Sequence, residues 1–519
     1  STNKLPNKVL IDVQVLRKND KTIAKTVSGT DFTLALKADG TVWTWGYNGY
    51  GQLGLGDKTN RYKPTQISIT DVVDIAAGNN HALLVTADGK VYGWGYNGKG
   101  QLGLNNTTSY KEPTYLGIDN AIDVAAGYNY TLILRKDGTV WATGYNNKGQ
   151  LGDGTTANTT KFHKVKGENG VGYLQNIVQI VSEDYTSHAL TADGSVYSWG
   201  YNRYGQFGIN KGTGEDANPY PVKMQKVSNI IQMSTGEEHI SMLDADGSVW
   251  SVGSNGNGQF GTNSAEGTSL PTQMLDTDRK SVLYGVKEIA SGRDHTVLIK
   301  EDNTVWSVGW NGAGALGQGI TTQYTTVIGQ VKEQVEGTDG EKIEKPITNA
   351  KHITAAGDTT YITRQKDENG KAQGMYATGY NNYGMLFTQD VTARTYATPA
   401  ETDKDILTAT ITKNYEYQTG AIVDQDGMVY TVGYNGYGAM GNKTTTSTTE
   451  PANISEASLE VNTRKIVLNL ETNNLSKQIE AKTDLGFNLL IDQVENEEIT
   501  YKTLDENIAT VTDAGLVTG

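Results

Sequence analysis

The stretch Val72-Val73-Asp74-Ile75-Ala76-Ala77-Gly78, followed by His81-Ala82-Leu83-Leu84-Val85 and then by Asp88-Gly89-Lys90-Val91-Tyr92-Gly93-Trp94-Gly95-Tyr96-Asn97-Gly98-Lys99-Gly100-Gln101-Leu102-Gly103, decides the fold because the chain repeats it. The glycine after the Trp, or its equivalent, recurs at Gly46, Gly95, Gly144, Gly200, Gly253, Gly309, Gly379 and Gly433, which makes eight copies 49 to 70 residues apart. A helical-hairpin repeat is shorter, whereas a four-stranded propeller blade with insertions suits a period that starts at roughly 40 to 50 residues.

Each piece of the unit reads as part of such a blade. Asp-Gly at Asp39-Gly40, Asp88-Gly89, Asp137-Gly138, Asp193-Gly194, Asp246-Gly247 and Asp426-Gly427 lies between short apolar runs, a hairpin signal because the turn wants positive φ. The preceding segment ends in small residues (Ala76-Ala77-Gly78, Ala125-Ala126-Gly127, Ala355-Ala356-Gly357), as expected of an innermost strand where blades converge. Pro64 and Pro113 fall in the fourth segment, and proline is tolerated in sheets chiefly at edges. The aromatic residue of each third strand (Trp43, Tyr92, Trp141, Tyr197, Trp250, Trp306, Tyr376, Tyr430) is then expected in the core between blades. The fold class is all-β: a β-propeller of eight blades, or of seven with a leftover copy.

Composition narrows the function. The 519 residues carry 44 Lys+Arg against 58 Asp+Glu, a formal charge of -14, and a partner that binds phosphates needs the opposite balance. Nucleic acid is therefore not expected, and no apolar run approaches the roughly 18 residues of a membrane span. Without any Cys there are no disulfides, thiolate nucleophiles or thiolate metal sites. The 61 Gly fit many tight turns, and 29 Tyr against 6 Phe is an unusual aromatic balance.

The pattern Ala-Ala-Gly, His, Asp-Gly, Trp-Gly-x-Asn, Gly-Gln-Leu-Gly, Pro over residues 26–457 resembles the repeat of the regulator of chromosome condensation family. That resemblance implies a propeller, and it implies no single function, since the family includes a nucleotide-exchange factor, a plant ultraviolet-B photoreceptor and a secreted bacterial inhibitor of β-lactamase. The acidic chain, opening Ser1-Thr2-Asn3-Lys4-Leu5-Pro6, offers no basic segment for chromatin. Gly292-Arg293-Asp294-His295-Thr296 is similar to a photoreceptor loop but lacks its Trp. The inhibitor's aromatic loop face has a counterpart here.

From about Arg464 the unit stops. Lys465-Ile466-Val467-Leu468-Asn469, leading to Asn507-Ile508-Ala509-Thr510-Val511-Thr512-Asp513-Ala514-Gly515-Leu516-Val517-Thr518-Gly519, resembles a bacterial Ig-like domain of group 2, a β-sandwich module of surface proteins. Three parts follow: residues 1–25 as an N-terminal segment able to supply a ring-closing strand, 26–457 as the propeller, and 464–519 as an Ig-like domain lacking its last strand, so that the natural protein is expected to continue.

In such blades the loops joining strands one to two and three to four share one face. They bring Tyr50, Tyr128, Tyr185, Arg203, Tyr204, Arg293, Tyr383, Tyr415 and Tyr437 there, residue types enriched in protein-binding hot spots. The Tyr directly after the Trp-Gly pair (Tyr47, Tyr96, Tyr145, Tyr201, Tyr380, Tyr434) is so regular that it reads as a lid over its own turn. No catalytic, cofactor or metal residues are assigned. His81, His188, His239 and His295 read as one repeated core position, and the Asp-rich turns lack the closing Glu of a calcium loop. The expectation is a non-enzymatic binding platform of a secreted or surface-attached bacterial protein, recognising an extracellular protein through the Tyr-rich face; a lectin-like adhesin binding cell-surface glycan is the alternative.

Overall fold

A computed structural model describes residues 25–454, apart from position 38 and residues 211–216, 401, 413–416 and 425–427; outside that range it describes the backbone of seven short strands alone. Eight four-stranded antiparallel sheets follow one another, each made of four consecutive strands in the order in which the chain supplies them. The first is Lys25–Ser28, Phe32–Leu36, Val42–Gly46 and Arg61–Gln66; the last is Ile406–Ile411, Thr419–Asp424, Val429–Gly433 and Thr448–Asn453. The protein is an eight-bladed β-propeller, which settles the choice between seven and eight blades. Beyond the blades, Lys8–Asp12 pairs with Lys465–Asn469, and Gln14–Arg17 with Ile499–Lys502.

The local signals act as their chemistry dictates. Gly89 in the Asp-Gly turn has φ +80, and in blade 6 Asn303 takes the same role at φ +65. The Asp of the turn is a brace: Asp137 accepts from the backbone N–H and the hydroxyl of Thr139. At the axis the blades converge on glycine, since a Cβ on Gly78 would lie 2.7 Å from the Gly127 carbonyl oxygen of the next blade and 2.2 Å from the His81 ring. That contact explains why the Ala-Ala-Gly of blades 2 and 3 is followed three residues later by a ring; in blade 7 Thr360 holds the corresponding position.

The sequence expectation for the inter-blade core holds in part, for all eight assigned rings pack into or against its clusters, to different depths. Of the aromatic residues assigned to it, Tyr376 is buried, whereas Trp43, Tyr92, Trp141, Tyr197, Trp250, Trp306 and Tyr430 are half-buried. They sit toward the Asp-Gly end, where Lys37 lies 4.4 Å from the Trp43 ring centroid and Lys300 lies 4.5 Å from that of Trp306. In blades 1, 2 and 4 a fully buried ring lies two residues further on the same strand: Trp45, Trp94 and Trp199. Their indole N–H groups donate to carbonyls of the preceding blade, Trp94 to Gln52 and Trp199 to Gln150, both at 2.8 Å. Trp45 donates to Ala439 at 2.8 Å and so joins blade 1 to blade 8.

Candidate functional site

The loop that follows each third strand is held by two side chains. Asn97, with no exposure to solvent, donates to the carbonyls of Asn106 and Thr108 and accepts from the Leu102 N–H. The same three-way cap recurs at Asn48, Asn146, Asn255, Asn311, Asn381 and Asn435. Gln52, Gln101, Gln150, Gln206 and Gln259 each accept the N–H of the residue two before, which fixes Tyr50, Lys99, Lys148, Tyr204 and Asn257. These loops are stiff platforms, a role that the sequence reading left unassigned although it quoted both motifs.

On them the rings form a relay from blade to blade. The residue three after the Tyr of one blade contacts the Tyr of the next. Tyr383 meets Tyr434 with ring centroids 5.3 Å apart, Tyr437 meets Tyr47 at 5.1 Å, and Tyr50 meets Tyr96 at 5.1 Å. Lys99 then lies 5.2 Å from the Tyr145 centroid and Lys148 lies 5.2 Å from that of Tyr201. A second layer adds Tyr417, 4.8 Å from Tyr434, and Tyr128, 5.5 Å from Tyr185. Tyr50, Tyr128, Tyr417 and Tyr437 are exposed. The lid reading also holds in part, because Tyr47, Tyr96 and Tyr434 fold their hydroxyls over Gly49, Gly98 and Gly436.

The relay stops at blade 5, where Ser254 replaces the Tyr. There Tyr204 hydrogen-bonds Glu238 instead, which with burial pushes its hydroxyl up to about 12. From this point the inner loops turn acidic: Asp184, Glu237, Glu238, Asp294 and Asp358. Burial, reinforced by like charge between Glu237, Glu238 and Asp294, holds the carboxyls of Glu237, Glu238, Asp294 and Asp358 above the usual range. Arg293 belongs to this sector, bound to Asp358 at 3.0 Å and Asp294 at 3.3 Å. Of the nine residues expected on this face, Tyr50, Tyr128, Tyr185, Arg203, Tyr204, Tyr383 and Tyr437 lie on the aromatic arc, Arg293 lies apart from it, and Tyr415 falls outside the described residues.

The four histidines do not share one position. His81, His239 and His295 open their strands, whereas His188 is two residues deeper, where it bonds Ser198 at 2.8 Å. Burial keeps all four neutral, with pKa values lowered to about 4 for His81 and His239 and about 3 for His188 and His295. Rings this reluctant to take a proton are poor general bases at neutral pH.

Sequence profiles of the regulator of chromosome condensation (RCC1) repeat match residues 39–85, 88–134, 137–190, 193–243 and 246–299, and a second profile of the same repeat matches 23–52, 72–101, 121–150, 177–206 and 286–315. The chain is 29% identical over 268 residues to the ultraviolet-B receptor UVR8 of Arabidopsis thaliana, covering 51% of this chain and 55% of that protein. It is 33% identical over 148 residues to the human probable E3 ubiquitin-protein ligase HERC4, covering 28% and 13% respectively. It thus spans about half the length of the first of these relatives and a smaller part of the second. Among solved structures, yeast RCC1 (Prp20) in complex with Kap60 aligns over 92% of this chain and 94% of that one, with a TM-score of 0.53 at 19% identity. Human WBSCR16 aligns over 71% and 96%, with a TM-score of 0.52 at 18% identity. The structural likenesses concern the fold, and with the two profiles together covering more than half of its residues, the chain belongs to the regulator of chromosome condensation (RCC1) repeat family.

Proposed function

We propose that this propeller is a non-enzymatic binding platform that recognises a protein through its aromatic arc. The observation that carries this reading is the relay from Tyr383 through Tyr437 and Tyr50 to Tyr96, because each ring leans on a neighbour across a blade seam. Rings held in this way lose little side-chain freedom on contact, and Tyr supplies apolar area with a polar tip. The yeast RCC1 structure, solved with Kap60 bound, is consistent with a family whose propellers hold protein partners. We place the chain in a secreted or surface-attached bacterial protein, with residues 464–519 as an Ig-like spacer; the segment's resemblance to that module supports the placement.

The test is capture from cell-surface extracts by the full chain and by a variant with Tyr50, Tyr204, Tyr383 and Tyr437 changed to Ala. The expected result is a protein retained by the parent chain, insensitive to removal of glycans and lost in the variant. Capture that requires the glycans and is lost in the variant would give the face to a carbohydrate, and equal capture by both chains would leave the arc a structural device.

A further inference from the structure

Opposite the aromatic arc, beside the Asp193-Gly194 turn of blade 4, lies an open cleft of about 420 Å³. One wall is the insertion of residues 167–176 between blades 3 and 4. This loop is ordered by its own bonds: Gly167 N–H to the Gly172 carbonyl at 3.0 Å, Leu174 N–H to the Val165 carbonyl at 3.2 Å, and a bridge between Lys166 and Tyr173. Leu174 is buried and anchors it, while Tyr173 stays 48% exposed. The other wall is blade 4 itself, with Tyr197 and Lys223.

The chemistry of the lining is mixed. Asp193 is fixed by the Thr191 hydroxyl and the Ser195 N–H. Burial raises the Tyr197 hydroxyl above its ordinary value, and the charges of Glu168 and Asp193 add to the shift, so the phenol and two carboxylates share one small space. Lys223 is close enough to favour the charged form of Asp193. Asn176 and Gln175 add amides. An apolar ligand would strand these groups, and an ion of either sign would meet its like as well as its opposite. A compact ligand dense in hydroxyls, each able to donate and accept, satisfies carboxylate, ammonium, amide and phenol at once, with the exposed Tyr173, whose ring also lies 5.2 Å from both Lys164 and Lys166, at its rim.

We infer that this cleft is a binding site for a single pyranose unit, separate from the aromatic arc. The test is saturation-transfer NMR on the full chain with the methyl glycosides of glucose, mannose, galactose and N-acetylglucosamine as probes. At least one is expected to receive transfer, and Tyr173→Ala and Lys223→Ala, both at exposed positions, are each expected to weaken its binding by about tenfold or more. The double variant Tyr50→Ala/Tyr437→Ala should leave it unchanged. Absence of transfer to all four glycosides, or transfer that survives both cleft variants, overturns the assignment; loss in the double variant alone moves the sugar to the opposite face and overturns it as well.

Discussion

A glycine and the ring three residues after it form one device at the axis. Phe32 covers Gly29, Tyr130 covers Gly127, and His81, His239 and His295 do the same over Gly78, Gly236 and Gly292. The position therefore asks for a flat ring, and histidine adds a proton-binding liability. Each of these histidines, with His188, has a folded pKa depressed from 6.5 to about 4 or about 3. Below the unfolded value the unfolded chain takes up protons that the native chain refuses, so stability is complete above about pH 6.5 and declines as pH falls toward the folded values. The slope is about 1.4 kcal/mol per pH unit for each histidine in that window. Urea melts from about pH 7 to about pH 5 should show a falling midpoint. His239→Phe should make the fall shallower by the share of one histidine in four, because Phe already serves in blade 1 and neither nitrogen of His239 meets a protein partner among the described residues. A midpoint indifferent to pH would show that these rings are solvated in the native chain. The sequence displayed the ring after Gly29, Gly78, Gly127, Gly236 and Gly292, but it did not separate His188, the third residue of its strand, from the histidines that open theirs.

Ring closure is a matter of side chains between complete blades, since every blade is four consecutive strands. At the seam of blades 8 and 1, Trp45 donates to the Ala439 carbonyl and Thr26 shares a hydrogen bond with Thr410 at 2.9 Å. Gly441 makes the approach possible, for at φ +67 a Cβ there would stand 3.1 Å from the Trp45 ring. Trp45→Phe keeps most of the apolar surface but strands a buried carbonyl, a loss of roughly 1–3 kcal/mol. Hydrogen exchange should then quicken first in Lys25–Ser28 and Ile406–Ile411, the strands that meet across this seam. Uniform acceleration around the ring would mean that the propeller opens only as a whole. The strands of each blade could be read from the Asp-Gly and Ala-Ala-Gly signals, because turns and crowding are local. Which Trp fills the seam could not: Trp43 and Trp45 face the same way, and their heights on the strand separate them, Trp43 lying toward the Asp-Gly end beneath Lys37 and Trp45 buried against the loop of blade 8. The Asn and Gln caps were equally visible as letters, yet their partners lie as far as 11 residues away along a loop whose path the letters do not give.

At the scale of the whole molecule, the loop face is divided. Blades 7, 8, 1, 2, 3 and 4 carry the tyrosine and lysine relay, and the inner loops of blades 4 to 7 carry the carboxylates. No local pattern foretold this, because the acids come one or two per copy and gather only when the ring closes. Their raised pKa values mean that burial and, for Glu237, Glu238 and Asp358, like charge oppose the charged form of these groups. For such a group the sign is the reverse of that for a buried histidine whose charging the fold resists as pH falls: the carboxylate is protonated more readily in the native chain, so lowering pH toward the ordinary carboxylate range relieves the native state. Glu237→Gln removes a carboxylate that Glu238 and Asp294 both oppose. The variant is expected to melt at the same temperature as the parent chain or a higher one near neutral pH, with the difference shrinking as the pH is lowered into the range where Glu237 is protonated. Thermal melts of the two chains across that range check this. A lower melting temperature at neutral pH would show that Glu237 is held by attraction, with Arg293 outweighing its acidic neighbours, and the divided face would then be a balanced ion-pair network instead of a sector of surplus negative charge.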